Sequence, residues 1–209
     1  MDYPYTWAQA PGSLSPSGEV ESWREPDGQH VVAGIGSLGA PWVFASKMAR
    51  HDAPVAASFA PTWLDDLDSV YSAFVSSAGS IPATVVASPG TRVRAMLWYI
   101  DDAQLAALDR TEPNYWRLRV TGCHDENPWL YVAMHGTYQP DRAPIAISGI
   151  EAQQRSFASM NQREVQLRLA QQLNAKLDDM LVRHEQRHAR LDTMRIMHEN
   201  ALVYHPACN

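Results

Sequence analysis

Glu112 has a position in the sequence that suits acid–base chemistry. It lies in "LAALDRTEPNYWRLRV", residues 105–120, after a stretch of helical character and directly before Pro113. A lone glutamate before a proline is most often a helix-end carboxylate that faces water. Here Tyr115 and Trp116 follow, and the alternating pattern after them predicts a strand that carries the carboxylate inward. A carboxylate held near apolar residues has a raised pKa and can act as a general base or acid near neutral pH.

A glycine-rich turn earlier in the chain could provide the complementary hydrogen-bond donors. "HVVAGIGSLGAP", residues 30–41, predicts a buried strand that runs into a turn. Gly36 permits close approach of a ligand to the backbone, and Ser37 adds a hydroxyl. Backbone N–H groups in such a turn can bind a carboxylate or a developing oxyanion. On these residues alone, a plain tight turn is the better interpretation.

A metal motif also occurs near the C-terminus. His184, Glu185 and His188 have the H-E-x-x-H spacing, which on a helix places two imidazoles on one face. The candidates for a third ligand are His198, Glu199 and His205. Arg183 and Arg187 oppose a dication there, and the longer zinc-protease continuation is missing. We therefore expect no catalytic zinc site, whereas an adventitious metal site at the two histidines stays open.

The elements around Glu112 follow from capping and periodicity. "DDAQLAALDR" predicts a short helix with Asp101 or Asp102 as its N-cap. Two strands are expected after Glu112, in "YWRLRVTGC" and "WLYVAMHGTY". Before that helix, residues 81–100 predict a hairpin that reverses at a Pro-Gly turn, and residues 43–51 predict a short helix. Short strands with interspersed helices indicate an α+β fold with a curled or closed sheet.

The two ends of the chain differ in character from the middle. Residues 1–28 are rich in Pro and Gly and predict a loop-rich arm, which Trp7 and Trp23 are expected to dock onto the body. From Ile150 onward, apolar residues recur at threes and fours, which predicts a long amphipathic helical segment, broken once near "SMNQRE". The predicted organisation is an arm (1–28), a central domain (29–148) and a helical extension (149–209). The extension could wrap the central domain or pair with a second copy as a homodimer.

Composition excludes several classes of function. The 209-residue chain has a net charge of −6 and 45% hydrophobic residues, so no attraction to nucleic acid or to an anionic membrane is expected. The acidic run "DDLD", residues 65–68, is expected to be a solvated turn. No secretory signal and no membrane-spanning run are recognised. Cys123 and Cys208 are interpreted as free thiols, and the protein is expected to be cytoplasmic.

Three segments in this order resemble the gamma-glutamylcyclotransferase-like family. They are "VVAGIGSLGA", "IPATVVASPGTRVRAMLWYID" and "LAALDRTEPNYWRLRV". The first is similar to a Tyr-Gly-Ser-(Leu or Asn) loop, the second to a family hairpin, and the third to a Leu-Asp-x-x-Glu motif that holds the catalytic glutamate. Each motif is weak alone, but their order and spacing make the match over roughly residues 30–140 fairly specific.

The resemblance implies a fold, a reaction and a site. The fold is α+β: a small mixed, mostly antiparallel β-barrel with flanking helices, followed here by the C-terminal amphipathic helical segment. The reaction cyclises a gamma-glutamyl group to 5-oxoproline and releases the attached amine or amino acid, with no metal or organic cofactor. By position, Glu112 matches the catalytic carboxylate, and Gly36, Ser37 and Leu38 match the substrate-binding loop.

Two departures from the family pattern leave a second function open. Ile35 stands where the family has a tyrosine, so this part of the pocket wall is expected to be apolar. Pro113 follows the glutamate where the family often has glycine, which stiffens the turn and removes a backbone donor. Tyr138, at the end of the last strand, is a candidate for the missing phenol. The alternative function is a non-catalytic small-molecule-binding or interaction protein on the same fold.

Overall fold

The computed structural model describes residues 3–183 and 187–198. In these ranges the helices are α1 (Pro41–Arg50), α2 (Asp102–Thr111), α3 (Gln162–Gln172), α4 (Leu177–Arg183) and α5 (Arg187–His198), with a 3₁₀ turn at Gly36–Gly39. The strands are β1 (Gly12–Leu14), β2 (Val20–Glu21), β3 (His30–Gly34), β4 (Ala57–Tyr71), β5 (Ala83–Ile100), β6 (Tyr115–Arg119), β7 (Trp129–Ala133), β8 (Ala146–Ile147), β9 (Ala152–Gln153) and β10 (Ser159–Met160). The helices predicted in residues 43–51 and 101–110 are confirmed as α1 and α2, and the two strands predicted after Glu112 are confirmed as β6 and β7.

The strands form one mostly antiparallel sheet in the order β10-β8-β4-β5-β3-β7-β6, with β1, β2 and β9 attached at its sides. Only the pairs β3–β7 and β8–β10 are parallel among the described strands. The Asp65 N–H donates to the Cys123 carbonyl at 2.9 Å, so the β6–β7 connection bends back against β4. No strand ladder joins β4 to β6 within the described ranges, and the sheet stays open there. The α+β class is confirmed, but the closed barrel is not.

β4 and β5 are long partners, and the hairpin expected within residues 81–100 is wrong. Both halves of that stretch belong to β5 and pair antiparallel with β4. The Pro-Gly sequence forms a bulge in β5. Asp65 pairs with Arg92 and Leu67 pairs with Ala87, so that residues 88–91 of β5 lie opposite Asp66 alone. Gly90 has φ +81°, and its N–H donates to Asp66 Oδ1 at 2.7 Å. The Pro-Gly sequence therefore lies within a continuous strand, and the chain does not reverse there.

Helices α1 and α2 lie together on one face of the sheet. The buried side chains that join them to it include Phe44, Met48, Leu105 and Leu108 from the helices and Phe59, Met96 and Trp98 from the strands. The Phe44 and Trp98 rings are stacked, with centroids 4.1 Å apart. Burying each such side chain is worth about 1.5–3 kcal/mol. This packing fixes the two helices side by side.

The C-terminal segment starts its helices later than expected. Residues 150–160 contain no helix and include β9 and β10, and the first helix begins at Gln162. Asn161 caps it in a reciprocal capping box with Glu164. Val165, Leu169 and Met180 are buried in the same apolar cluster as the inner face of the sheet. These helices therefore pack onto their own chain, and the predicted homodimer stays a prediction.

The N-terminal arm is packed against the body. The Trp7 ring occupies the space where a Cβ at Gly39 would lie, and Pro4 Cδ is 2.6 Å from the Cβ position of Gly149. Trp23 is 39% exposed and makes an edge contact with Tyr99. Two glycines thus create the room that the arm needs. Within the described residues, no helix is both long enough and apolar enough to cross a bilayer.

Candidate active site

A pocket of about 270 Å³ brings Glu112 together with the glycine-rich turn. Its walls are formed by Tyr3, Ile35, Ser37, Leu38, Lys47, Phe74, Ser76, Ser77, Pro82, Ala83, Thr84, Val85, Thr111, Glu112, Pro113, Asn114, Tyr115 and Tyr131. Contributions come from the arm, the 3₁₀ turn, α1, the end of α2 and β5, among other elements. Ile35, Ser37 and Leu38 therefore share one cavity with the carboxylate, although they lie far from it in the chain.

Glu112 is placed by the two ends of α2. At the start, the Asp101 carboxylate accepts from the Gln104 N–H, and the Gln104 side chain accepts from the Asp101 N–H. At the end, Glu112 is the C-cap, and its carbonyl accepts from the Tyr115 N–H at 3.0 Å. Pro113 prevents the helix from continuing. The chain then enters β6, and the carboxylate points into the pocket rather than into solvent.

Lys47 of α1 is the direct partner of Glu112. Its ammonium group forms an ion pair with Glu112 Oε1 and donates to Thr111 Oγ1 at 3.2 Å. Both charged side chains are only 14% exposed. Burial raises the pKa of Glu112 above 4.5, and the positive charge of Lys47 and its hydrogen bond hold part of that rise back. No sequence signal pointed to this lysine, because α1 and α2 are distant in the chain.

The turn after β3 is built around Gly36. Gly36 has φ +85°, and a Cβ there would lie 2.8 Å from the Ala83 Cβ. Ser37 and Leu38 line the pocket, whereas Gly36, predicted as a binding residue, is not among its wall residues. The indole N–H of buried Trp98 donates to the Leu38 carbonyl at 2.8 Å, which fixes the end of the turn. The Ser37 hydroxyl has no protein partner within the described part of the chain.

Three phenols surround the carboxylate, and none of them was predicted. Tyr3 Oη accepts from the Ala83 N–H at 2.8 Å, and Tyr115 Oη donates to the Ala83 carbonyl at 2.9 Å. Tyr131 Oη donates to Asp109 Oδ1 at 2.8 Å. Burial is the main cause that raises the pKa of all three, and the negative charge of Glu112 adds to it. They are therefore neutral hydrogen-bonding groups near pH 7.

Tyr138 does not contribute the missing phenol. It is fully buried, and its Oη donates to Gln172 Oε1 at 2.8 Å. Burial raises its pKa to about 12. It lies outside the walls of the pocket, because the strand pattern expected up to that residue ends at Ala133 and the chain turns away. Tyr3, from the arm, takes the place beside the turn instead: its Oη is 2.6 Å from the Cβ position of Gly36.

A second cavity of about 460 Å³ adjoins the same tyrosine. Tyr3 contributes to the walls of both cavities, and the segment from Ser76 to Ala83 passes from one to the other. The remaining walls come mainly from α3 and α4 and include Arg163 and Asp178. Tyr3 therefore stands between the two cavities as a common wall residue.

The metal motif and the acidic run have different outcomes. His184 and Glu185 lie outside the described residues, as does Cys208, and nothing tests the metal motif. Within the described ranges, no three His, Cys, Asp or Glu side chains are grouped to hold a metal ion. The segment 65–68 is part of β4 rather than a solvated turn. Its Asp68 is fully buried and makes a bidentate pair with Arg155.

No protein-family model, no curated protein and no solved structure matches this chain. The family membership suggested by the three sequence segments thus has no relative to support or exclude it. Because function depends on the site and not on the fold, the pocket residues and their chemistry carry the interpretation.

Proposed function

We propose that this protein is a gamma-glutamylcyclotransferase-type enzyme, which cyclises a gamma-glutamyl amide to 5-oxoproline and releases the amine. One observation carries the proposal: the buried Glu112 carboxylate and the turn at Ile35, Ser37 and Leu38 line the same small pocket. A family resemblance in sequence predicted this pair. The cytoplasmic location and the homodimer predicted from the sequence remain predictions.

Glu112 carries the protons in this reaction. The α-ammonium of the substrate gives one proton to the Glu112 carboxylate, and the free amine nitrogen then attacks the γ-carbonyl carbon. Glu112 passes that proton to the leaving nitrogen as the amide bond breaks, and the ring nitrogen gives up a second proton by the same route. The products are a neutral lactam and an ammonium ion, and Glu112 returns to its starting state. A single carboxylate can therefore act first as base and then as acid.

The pocket suits an intramolecular reaction. The attacking nitrogen and the carbonyl belong to one molecule, so the protein has to hold a bent conformer rather than bring two reactants together. A volume of about 270 Å³ is sufficient for a glutamyl group. Ile35, Leu38 and Phe74 provide apolar walls for the carbon chain of the glutamyl group. The larger cavity beyond Tyr3 offers room for the amine half of the substrate.

Lys47 adjusts the acid–base balance. Its charge stabilises the ionised form of Glu112, which is the form needed for the first step. The same charge lies near the bound ammonium and favours loss of its proton, since like charges repel. When the γ-carbonyl oxygen becomes negative, the hydroxyl of Ser37 and the backbone N–H groups of the turn are available donors.

A non-catalytic binding protein is the second candidate, and the ion pair favours it. A carboxylate held by Lys47 is less basic than an unpaired one in the same pocket. Ile35 also makes the wall beside the turn apolar, where the family pattern has a phenol. In this alternative, Glu112 and Lys47 bind a ligand and no bond is cleaved.

One experiment separates the two candidates. Purified protein is screened with gamma-glutamyl amino acids, peptides and amines, and 5-oxoproline is quantified. In the proposed enzyme, Glu112→Gln lowers turnover by about 10²–10⁴-fold. Glu126→Gln, at an exposed glutamate outside the pocket, is the matched control and keeps full activity. A chelator has no effect in this mechanism.

Two outcomes contradict the enzyme. Full activity of Glu112→Gln would remove the role assigned to the carboxylate. Ligand binding without release of 5-oxoproline from any compound in the screen would favour the binding protein instead.

A further inference from the structure

Lys47 and Glu112 line the same small pocket, and each can form a further hydrogen bond. The Lys47 ammonium has three N–H donors, of which Glu112 Oε1 and Thr111 Oγ1 accept two. Within the described residues no protein acceptor takes the third. Glu112 Oε2 likewise accepts no hydrogen bond from the described residues. It is not one of the fully buried atoms that lack a partner, so a ligand can reach it. One donor and one acceptor of opposite charge thus remain for a ligand.

The local structure keeps this pair largely out of water. Lys47 lies in the last turn of α1, and only 14% of its side chain is exposed. Thr111 anchors the other side, because its hydroxyl donates to the Leu108 carbonyl at 2.9 Å while it accepts from Lys47. Ordering a lysine side chain costs up to about 2 kcal/mol of conformational entropy. At 14% exposure, both charges act in a medium where they interact more strongly than at the surface.

We propose that Lys47 and Glu112 together recognise the zwitterionic head of an α-amino acid, with the α-carboxylate bound by Lys47 Nζ and the α-ammonium bound by Glu112 Oε2. This inference rests on the proposed function and adds a specificity-determining residue to it, Lys47, which has no ligand contact in the proposed reaction. The head group carries one charge of each sign on a single carbon. It therefore complements both members of the pair at once and keeps the pocket electrically neutral.

The assignment also gives each polar group of the substrate its own partner in the pocket. With the α-carboxylate on Lys47, the turn at Ser37 and Leu38 is left for the γ-carbonyl oxygen, which gains charge during ring closure. The α-amine is then held at the carboxylate that deprotonates it. γ-Aminobutyryl amides leave the third N–H donor of Lys47 without a ligand acceptor, and glutaryl amides leave Glu112 Oε2 without a ligand donor. Both are therefore expected to bind more weakly.

The test compares three ligands by titration calorimetry at pH 7. Gamma-glutamyl ethylamide carries both charges, its glutaryl analogue lacks the ammonium, and its γ-aminobutyryl analogue lacks the carboxylate. In the wild-type protein, each analogue binds at least about tenfold more weakly than the parent compound. Because this comparison needs no variant, it stays decisive even if a substitution impairs folding. Equal affinity for the parent and the γ-aminobutyryl analogue would overturn the assignment.

Variants of Lys47 test whether this residue binds the α-carboxylate of the ligand. Lys47→Met weakens binding of the two carboxylate-bearing ligands by about tenfold or more, and the γ-aminobutyryl analogue is bound as well as before or better, since Lys47 no longer competes for Glu112. Lys47→Arg retains most of the affinity. Lys176→Met, at an exposed lysine, is the matched control and changes nothing. An equal loss for all three ligands would mean that Lys47 is only structural.

Failure of the proposed function is distinguishable from failure of this inference. If no compound is cyclised but the three ligands show the predicted order of affinity, the enzyme proposal fails and the recognition site stands. The reverse outcome has two parts: the wild type releases 5-oxoproline, and Lys47→Met raises KM equally for gamma-glutamyl ethylamide and for γ-aminobutyryl ethylamide. In that case the enzyme proposal stands and the recognition role of Lys47 is wrong.

Discussion

Tyr3 Oη lies 2.6 Å from the point where Gly36 would carry a Cβ, so the N-terminal arm touches the turn that lines the pocket. The contact exists because Gly36 has no side chain and because the Ala83 N–H donates to the same phenol oxygen. The arm is therefore part of the site, and not a separate appendage. The walls of both cavities depend on it.

The hydrogen bond of Tyr3 should be measurable as stability. Tyr3→Phe leaves the Ala83 N–H without its acceptor in a buried place, which costs about 1–3 kcal/mol in the free energy of unfolding. Tyr5→Phe is the control, because within the described structure Tyr5 makes ring contacts with Tyr3 and Trp42 but its hydroxyl forms no hydrogen bond. That variant should stay within about 0.5 kcal/mol of the wild type. Urea denaturation measures both, and equal midpoints would contradict the role of the phenol.

The pH dependence of activity should report Glu112. The carboxylate must be ionised to accept the first proton, so kcat/KM falls as the pH drops through its pKa. Burial raises that pKa above 4.5, and the acid limb should therefore lie above the usual range of a glutamate. Lys47 lowers the pKa, so Lys47→Met should move the midpoint of the acid limb further up. Lys176→Met should leave it in place, and a downward shift in Lys47→Met would contradict the assignment.

Two glycines with similar positive φ angles allow the cost of backbone strain to be separated from the cost of crowding. Gly36 and Gly90 have φ +85° and +81°, but of the two only Gly36 has neighbours within 4 Å of the Cβ position, namely Tyr3 and Ala83. Gly90→Ala should cost about 1–2 kcal/mol from backbone strain alone. Gly36→Ala adds overpacking and should cost about 2–5 kcal/mol. It should also lower turnover, since the turn has to shift. Thermal and urea unfolding give the comparison, and equal costs would argue against the close approach of Tyr3 and Ala83 to Gly36.

Two ion pairs of the same chemistry should differ widely in importance. Asp68 is fully buried and receives three hydrogen bonds from Arg155, whereas Asp65 and Arg92 are each about half exposed. Arg155→Met leaves a buried carboxylate unpaired and should cost about 3–5 kcal/mol. Arg92→Met should cost about 0–1 kcal/mol. Urea denaturation of the two variants checks this, and a small effect of Arg155→Met would mean that Asp68 finds water or another donor.

The features fixed by local rules could be predicted from the sequence. Asp101 and Gln104 form a capping box, and this explains why α2 begins as expected. Glu112 follows at the end of that helix and enters a pocket with Ser37 and Leu38, as the motifs predicted. Each of these depends on residues within a few positions of one another, or on a pattern of segments that is visible in sequence order.

The features fixed by contacts between distant segments could not be predicted. Lys47 meets Glu112 only because α1 and α2 pack side by side, and no spacing in the sequence reports that. Tyr3 belongs to an arm whose Pro and Gly content has no periodicity to interpret. The Pro-Gly sequence at Gly90 is chemically a turn, and the pairing of β4 with both halves of β5 overrides it. Tyr138 was predicted to provide a phenol because the last strand was expected to reach it. The strand β7 ends at Ala133, before that residue.

The pairing of β4 with β5 has a consequence for how the chain folds. The two strands are neighbours in sequence, joined by residues 72–82, so their ladder closes only a short loop. The parallel contact of β3 with β7 joins Val32 to Trp129 and needs a much longer closure. We therefore expect amide hydrogens in β4 and β5 to gain protection early during refolding, and the β3–β7 contact, with the pocket it supports, to form late.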